Sequence, residues 1–403
     1  MSLADDYVSL LQRYGMSSAT CAPEASSIPS GEDFATEVAL ALNAQFPGGR
    51  RAEAIRDRPE ATELRETLKK TVLPRLEDYR RRFSGGFMRK LTQTLLGDYE
   101  SLIKESLTDE QRLTVENVGV FEFPTASTNA HSIATASGFL CLINSGLLEL
   151  IHQAAVQFFS AVPIATIEND SAQRMTADFG IPDEPHSVPA IVNAAGWVGA
   201  VIFSYLRFAE SGIDMSIKSS HENDINEGLL NLSLHIERAM GCFVVAHELA
   251  HVMLGHHEQK MNILTPVGSL PVLGRSHEEE YEADRFATHL LVSLDRRGLY
   301  QNGSLPLACG GPAFFYLHMI VQRIERALPD IAILTSEDSS HPASDSRAER
   351  VLSWLEKEYS ASELSNDQQS MRGVRIFTEW IKMFATLFHE AIIEPTGIQV
   401  HFK

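Results

Sequence analysis

A chain of 403 residues, 44% hydrophobic and 22% charged, can bury a sizeable core, and its length suits two domains or one large domain with a helical extension. A formal charge of −19 argues against a nucleic-acid binder, which needs a basic face to neutralise phosphate, and against an electrostatic hold on anionic membranes. The four cysteines (Cys21, Cys141, Cys242, Cys309) lie far apart and form no CxxC, the usage of reduced thiols in a cytoplasmic protein rather than of a disulfide framework.

The opening MSLADDYVSLLQRYGM has an early acidic pair and no apolar stretch of signal-peptide type. Residues 1–112 read as a helical N-terminal region. Within it, Ser30-Gly31-Glu32-Asp33 starts a helix through Leu42, and the Arg- and Leu-rich run from Arg51 to Arg82 forms one or two surface helices. Near Thr114 the texture changes, opening a second region, 113–360. Its segments VENVGVFEFP and ATASGFLCLINSGLLELI carry the short apolar and β-branched runs of strands. An apolar insert follows at about residues 155–228. Inside it Val188–Leu206 is uncharged and almost long enough to span a bilayer, but its proline, asparagine and glycines fit a buried core helix better, so no membrane insertion is expected.

Helical spacing returns at Leu229–Gly255, Glu278–Arg297, Phe314–Ala327 and Arg347–Tyr359. In the last region, 361–403, a helix carries Phe377, Trp380, Ile381, Phe384 and Phe388 as a core-facing stripe.

The chemistry lies in the first of these helices. His247 and His251 stand four apart in GCFVVAHELAHVMLG, so both imidazoles leave one face a turn apart, the geometry in which two ring nitrogens share a Zn²⁺ at about 2.0–2.1 Å. Glu248 is displaced around the helix, where its carboxylate can act as a base on water without ligating. Downstream, Ser276 and Glu279 make a capping box that opens a second helix, with Gly298 past its end. On it Glu280, Ala283, Asp284, Ala287 and Leu291 share one side. The alanines permit close approach to the first helix, Glu280 supplies a third ligand, and Asp284 accepts the free ring N–H of a ligating histidine. His257, in the position of the third histidine of an HExxHxxGxxH pattern, is an alternative third ligand, although the glycine falls one residue late at 255. His256 suits the helix end. Glu278 and Glu279 also fit a solvated acidic helix start, and His341 by itself is a histidine before a proline in a polar loop.

HELAHVMLGH, EYEAD and His341-Pro342-Ala343-Ser344-Asp345-Ser346-Arg347 resemble, in order, the three signatures of the HtpX-like and CAAX-prenyl-protease-like gluzincin metallopeptidases. The resemblance covers roughly residues 115–155 and 235–355. It departs from that family in lacking obvious transmembrane helices, in the wide spacing before the metal helix and in the long N-terminus. A looser similarity is to the phage-exclusion peptidase Lit and to ImmA/IrrE-type proteins. The resemblance implies that His341 donates to the oxyanion and that Arg347 has a structural or orienting role.

The expectation is thus an α+β, mainly helical fold of gluzincin type with a small sheet. It binds one Zn²⁺ per chain on His247, His251 and Glu280, and it hydrolyses a protein or peptide substrate with Glu248 as general base. Two rivals stay open: a regulatory protease acting in stress or phage defence, and a zinc-stabilised interaction or sensor protein without turnover. Retention of Glu248 speaks against the second, since a structural site needs no base.

Overall fold

The structure, a computed structural model, describes residues 2–14, 87–123, 128–161, 165–166, 177–178, 227–256, 260–265, 268–273, 275–297, 305–327, 341–360 and 365–388. The elements in chain order are helices α1 (Leu3–Arg13), α2 (Phe87–Ser106) and α3 (Asp109–Thr114), strands β1 (Val118–Phe123), β2 (Ala130–Ala134) and β3 (Phe139–Asn144), and helix α4 (Ser145–Ala161). The short strands β4 (Ala165–Thr166) and β5 (Ala177–Asp178) precede helix α5 (Glu227–Met253). Then come the hairpin β6 (Lys260–Thr265) and β7 (Gly268–Leu273), helix α6 (His277–Arg296), a 3₁₀ turn at Leu307–Cys309, and helices α7 (Gly310–Ala327), α8 (Ser344–Ser360) and α9 (Ser365–Phe388). The fold is α+β and mainly helical.

From Ala239 to Val252 helix α5 is buried on every side, because it is the centre of the packing: α2, α4, α6 and α7 all lie against it. Ala239, Cys242, Phe243, Val245, Ala246, Leu249 and Ala250 are all buried along it. The small sheet has the order β1-β3-β2, with β1 parallel and β2 antiparallel to the central β3. Strand β3 is covered on both faces. Cys141 and Ile143 look into the main core, and Leu140 and Leu142 meet Leu10 and Leu11 of α1 together with Phe123, Ile133 and Val272. That two-sided burial explains its unbroken apolar run. Tyr7 of α1 stacks on Phe121 and donates its hydroxyl to the Glu122 carbonyl, which fastens α1 to the sheet. Strand β7 lies alongside the edge strand β2 without joining its ladder.

The four expected helices are present as α5 to α8, with ends within a few residues of those read from the sequence. One expectation is corrected. The stretch ending INSGLLELI is strand only to Asn144; from Ser145 it is the helix α4. Leu147, Leu150, Ile151, Ala154 and Ala155 recur at helical spacing and are buried, so the leucine-rich run belongs to a helix face rather than a strand. Phe377 and Ile381 of the α9 stripe are buried in the main core. The helices expected at Ser30–Leu42, Arg51–Arg82 and Val188–Leu206 lie outside the described residues. Among the described residues no helix is long and apolar enough to cross a membrane.

Cys141 on β3, Cys242 on α5 and Cys309 in the 3₁₀ turn are buried free thiols. Burial pushes the first two up to about 12. Asp295 near the end of α6 accepts from the backbone N–H groups of Leu307 and Ala308 at 2.8 and 3.0 Å, and so fixes the turn that launches α7.

The start of α7 crosses α5 at a glycine. A Cβ added at Gly310 would overlap the Ala239 carbonyl oxygen, a backbone atom two turns before His247. Gly310→Ala should therefore cost about 2–3 kcal/mol of stability by overpacking. Denaturant unfolding checks this, and a midpoint equal to wild type would show that the two helices can separate at no cost.

Candidate metal centre

Two helices built for close approach bring the key side chains together. On α6, Ser276 accepts from the Glu279 N–H while Glu279 accepts from the Ser276 N–H, so the expected capping box sets where the helix begins. That register turns Glu280, Ala283, Asp284, Ala287 and Leu291 inward, and all five are buried. The alanines leave no bulk between α6 and α5, so the carboxylates of α6 reach the histidines of α5.

His247, His251 and Glu280 form a cluster whose ligand atoms all lie within 4.8 Å of one another. The Nε2 atoms of His247 and His251 are 3.0 Å apart, and each stands 3.4 Å from an oxygen of Glu280. Donors held at 2.0–2.1 Å around one tetrahedral ion are separated by roughly 3.3 Å. The three donors therefore have the spacing that a zinc-sized ion imposes. A second observation agrees with this fit: both oxygens of Glu280 are buried and accept no hydrogen bond. Its charge is met by ion pairs, with Arg347 at 3.1 Å and with Arg275 and His341 at 3.7 Å, and the sides facing the two imidazoles are left to a further cation.

Around this set the remaining charges are paired. His247 Nδ1 stands 2.9 Å from Asp284 Oδ1. Arg347, from the first turns of α8, donates to both oxygens of Asp284 at 2.8 and 2.7 Å, and its Nη2 comes within 3.1 Å of Glu280. The guanidinium also lies over the Phe315 ring at 4.4 Å. His341, at the approach to α8 and 28% exposed in its side chain, puts Nε2 at 3.7 Å from Glu280 Oε2.

Glu248 points to a different quarter, as its place on the helix requires. Its Oε2 accepts from Ser132 Oγ of β2 at 2.7 Å and from Arg275 Nη2 at 2.7 Å, and its Oε1 accepts from Arg275 Nη1 at 3.3 Å. Sequence reasoning missed both partners. Arg275 sits next to the Ser276 helix cap and Ser132 on an edge strand, and neither position carries a spacing signal. His256 sits in the turn after α5, with its ring against His251. Glu279 is committed to its cap, and Glu278 is exposed. His257 lies outside the described residues.

The electrostatics separate the two histidines. Burial alone would push His247 down, but Asp284 and Glu280 hold it up at about 9. For His251, burial and the nearby Arg275 push well below the ordinary histidine value. Burial would raise Glu248, yet the Arg275 guanidinium outweighs it and keeps the carboxylate down at about 2. Glu280 is likewise held well below the usual range, against burial, by His341 and Arg347.

The buried set of two imidazoles and a carboxylate, flanked by an ionised glutamate that does not join it, could hold a metal ion. Residues 238–363 match the family model described as Peptidase U49, a stretch that contains every one of these residues except Ser132, and the match supports a peptidase. Neither the curated proteins nor the solved structures contain a match to this chain.

His247 keeps its proton up to about pH 9, so a metal that binds to this set would have to displace that proton. Apparent zinc affinity should therefore rise with pH, by up to tenfold per unit, and level off above about 9. Competition with a chelator at several pH values measures this; an affinity flat between pH 6.5 and 8.5 would contradict it.

Proposed function

We propose that this chain is a zinc-dependent endopeptidase acting on a protein substrate. The observation that carries the reading is the convergence of His247, His251 and Glu280, buried and correctly spaced, beside a glutamate that is held out of the ligand set. The Peptidase U49 match supports the peptidase half of it and favours the similarity to phage-exclusion peptidases over the one to HtpX-like enzymes. A defence-related regulatory protease is therefore the preferred biological setting.

In this reading His247, His251 and Glu280 hold the ion. When bound, it supplies Lewis acidity toward the scissile carbonyl and lowers the pKa of water. Glu248 is the general base. Its carboxylate has about four lone-pair sites, and Ser132 and Arg275 occupy three, so one site on Oε1 is left to take a proton from the attacking water. The same oxygen then passes that proton to the leaving amine. Asp284, itself gripped by Arg347, sets the ring of His247. His341, partly exposed at the rim of the cluster, donates to the carbonyl oxygen as it gains charge.

Glu248→Gln separates base from ligand. It should retain zinc and fold but lose cleavage by on the order of 10²–10⁴-fold, because the amide cannot accept the proton. Mass spectrometry of new peptide termini in a cell lysate incubated with each protein is the readout. Equal cleavage by wild type and variant would sink the mechanism.

A further inference from the structure

The second histidine of the metal set has a partner chain of its own. Helix α5 ends in a Schellman motif. Gly255 adopts a left-handed φ of 77°, its N–H bonds to the Val252 carbonyl at 3.2 Å, and the His256 N–H bonds to the His251 carbonyl at 2.8 Å. This reversal folds the residue after the glycine back under the last turn of the helix. The ring of His256 is thereby buried with its Nδ1 at 3.0 Å from His251 Nδ1, and its Nε2 lies 3.1 Å from Glu282 Oε2 on α6. Glu282 stands two residues after Glu280, and its side chain is 65% exposed.

With both rings neutral, the carboxylate at one end and the ligand set at the other give this chain a single order of donors. A carboxylate oxygen accepts, so His256 carries its proton on Nε2 and offers a bare Nδ1. That bare nitrogen accepts from His251, which places the His251 proton on Nδ1. The His251 Nε2 lone pair is then free on the side of His247 and Glu280. The opposite tautomer of His256 would drive the His251 proton onto Nε2, where it blocks ligation. We propose that His256 and Glu282 are positioning residues that fix His251 in its metal-binding tautomer, a relay from the protein surface to the metal centre. This inference rests on the reading of His247, His251 and Glu280 as ligands. It assigns to His251 the support that Asp284 gives His247.

The exposed end of the relay allows a test that leaves the fold alone. Zinc affinity would be measured by chelator competition, and Co²⁺ binding by its visible spectrum, for wild type, Glu282→Ala, Glu282→Gln and Glu278→Ala. Glu278 is an exposed carboxylate on the same helix with no part in the relay. Glu282→Ala should weaken zinc binding about tenfold, the lower end of what partners of metal-ligating histidines contribute. It should also perturb the Co²⁺ spectrum. Glu282→Gln keeps an acceptor oxygen and should stay within about twofold of wild type, and Glu278→Ala should not change. Equal losses in Glu278→Ala and Glu282→Ala would assign the effect to overall charge and overturn the relay, as would wild-type affinity in Glu282→Ala. If wild type itself bound neither metal, the ligand reading would fail along with the relay, an outcome distinct from failure of the relay alone.

Discussion

Charge taken out of water dictates the layout of this protein. Three carboxylates (Glu248, Glu280, Asp284) and two guanidiniums (Arg275, Arg347) have buried side chains within one small volume. A single such charge left alone costs several kcal/mol, so each must find its opposite, and the partners come from every side. Helix α5 brings Glu248, α6 brings Glu280 and Asp284, α8 brings Arg347, the residue ahead of the α6 cap is Arg275, and Ser132 arrives on β2. Satisfying these groups ties four elements to one point. It also leaves a remainder: Glu280, surrounded by cations, accepts no hydrogen bond and faces the two imidazoles.

The small side chains are the steric counterpart of this electrostatic constraint. Ala283 and Ala287 on α6 and Gly310 at the head of α7 let helices close on α5 to the distance at which short carboxylates and imidazoles meet. A larger residue at Ala283 or Ala287 would separate charges that are tolerable only when paired.

How far this was legible in the sequence follows the range of the interactions. His247, Glu248 and His251 are read from one helical turn, and Glu280 with Asp284 from the register set by the Ser276 cap, because a helix converts sequence spacing directly into direction. The arginine that clamps Glu248 lies 27 residues from it and the serine 116 residues, and no period connects them. The hairpin of β6 and β7 went unread, since Pro271 inside a strand argues against one. The leucines after Asn144 suit either strand or helix, and packing against α5 decided for helix. His256 was legible as a residue near a helix end. Its use there depends on the turn made by Gly255, which puts its ring beneath His251 and not into solvent.

The three buried thiols have a practical consequence. Cys141, Cys242 and Cys309 sit in the sheet, in the central helix and at the entry to α7, and their burial keeps them as unreactive thiols at neutral pH. Alkylating reagents and peroxide can reach them only when the surrounding element opens, so the rate at which each sulfur is labelled clocks the local opening of its own layer. Among the described residues there are thus three built-in reporters of conformational fluctuations, one of them, Cys141, 3.6 Å from the serine that touches Glu248.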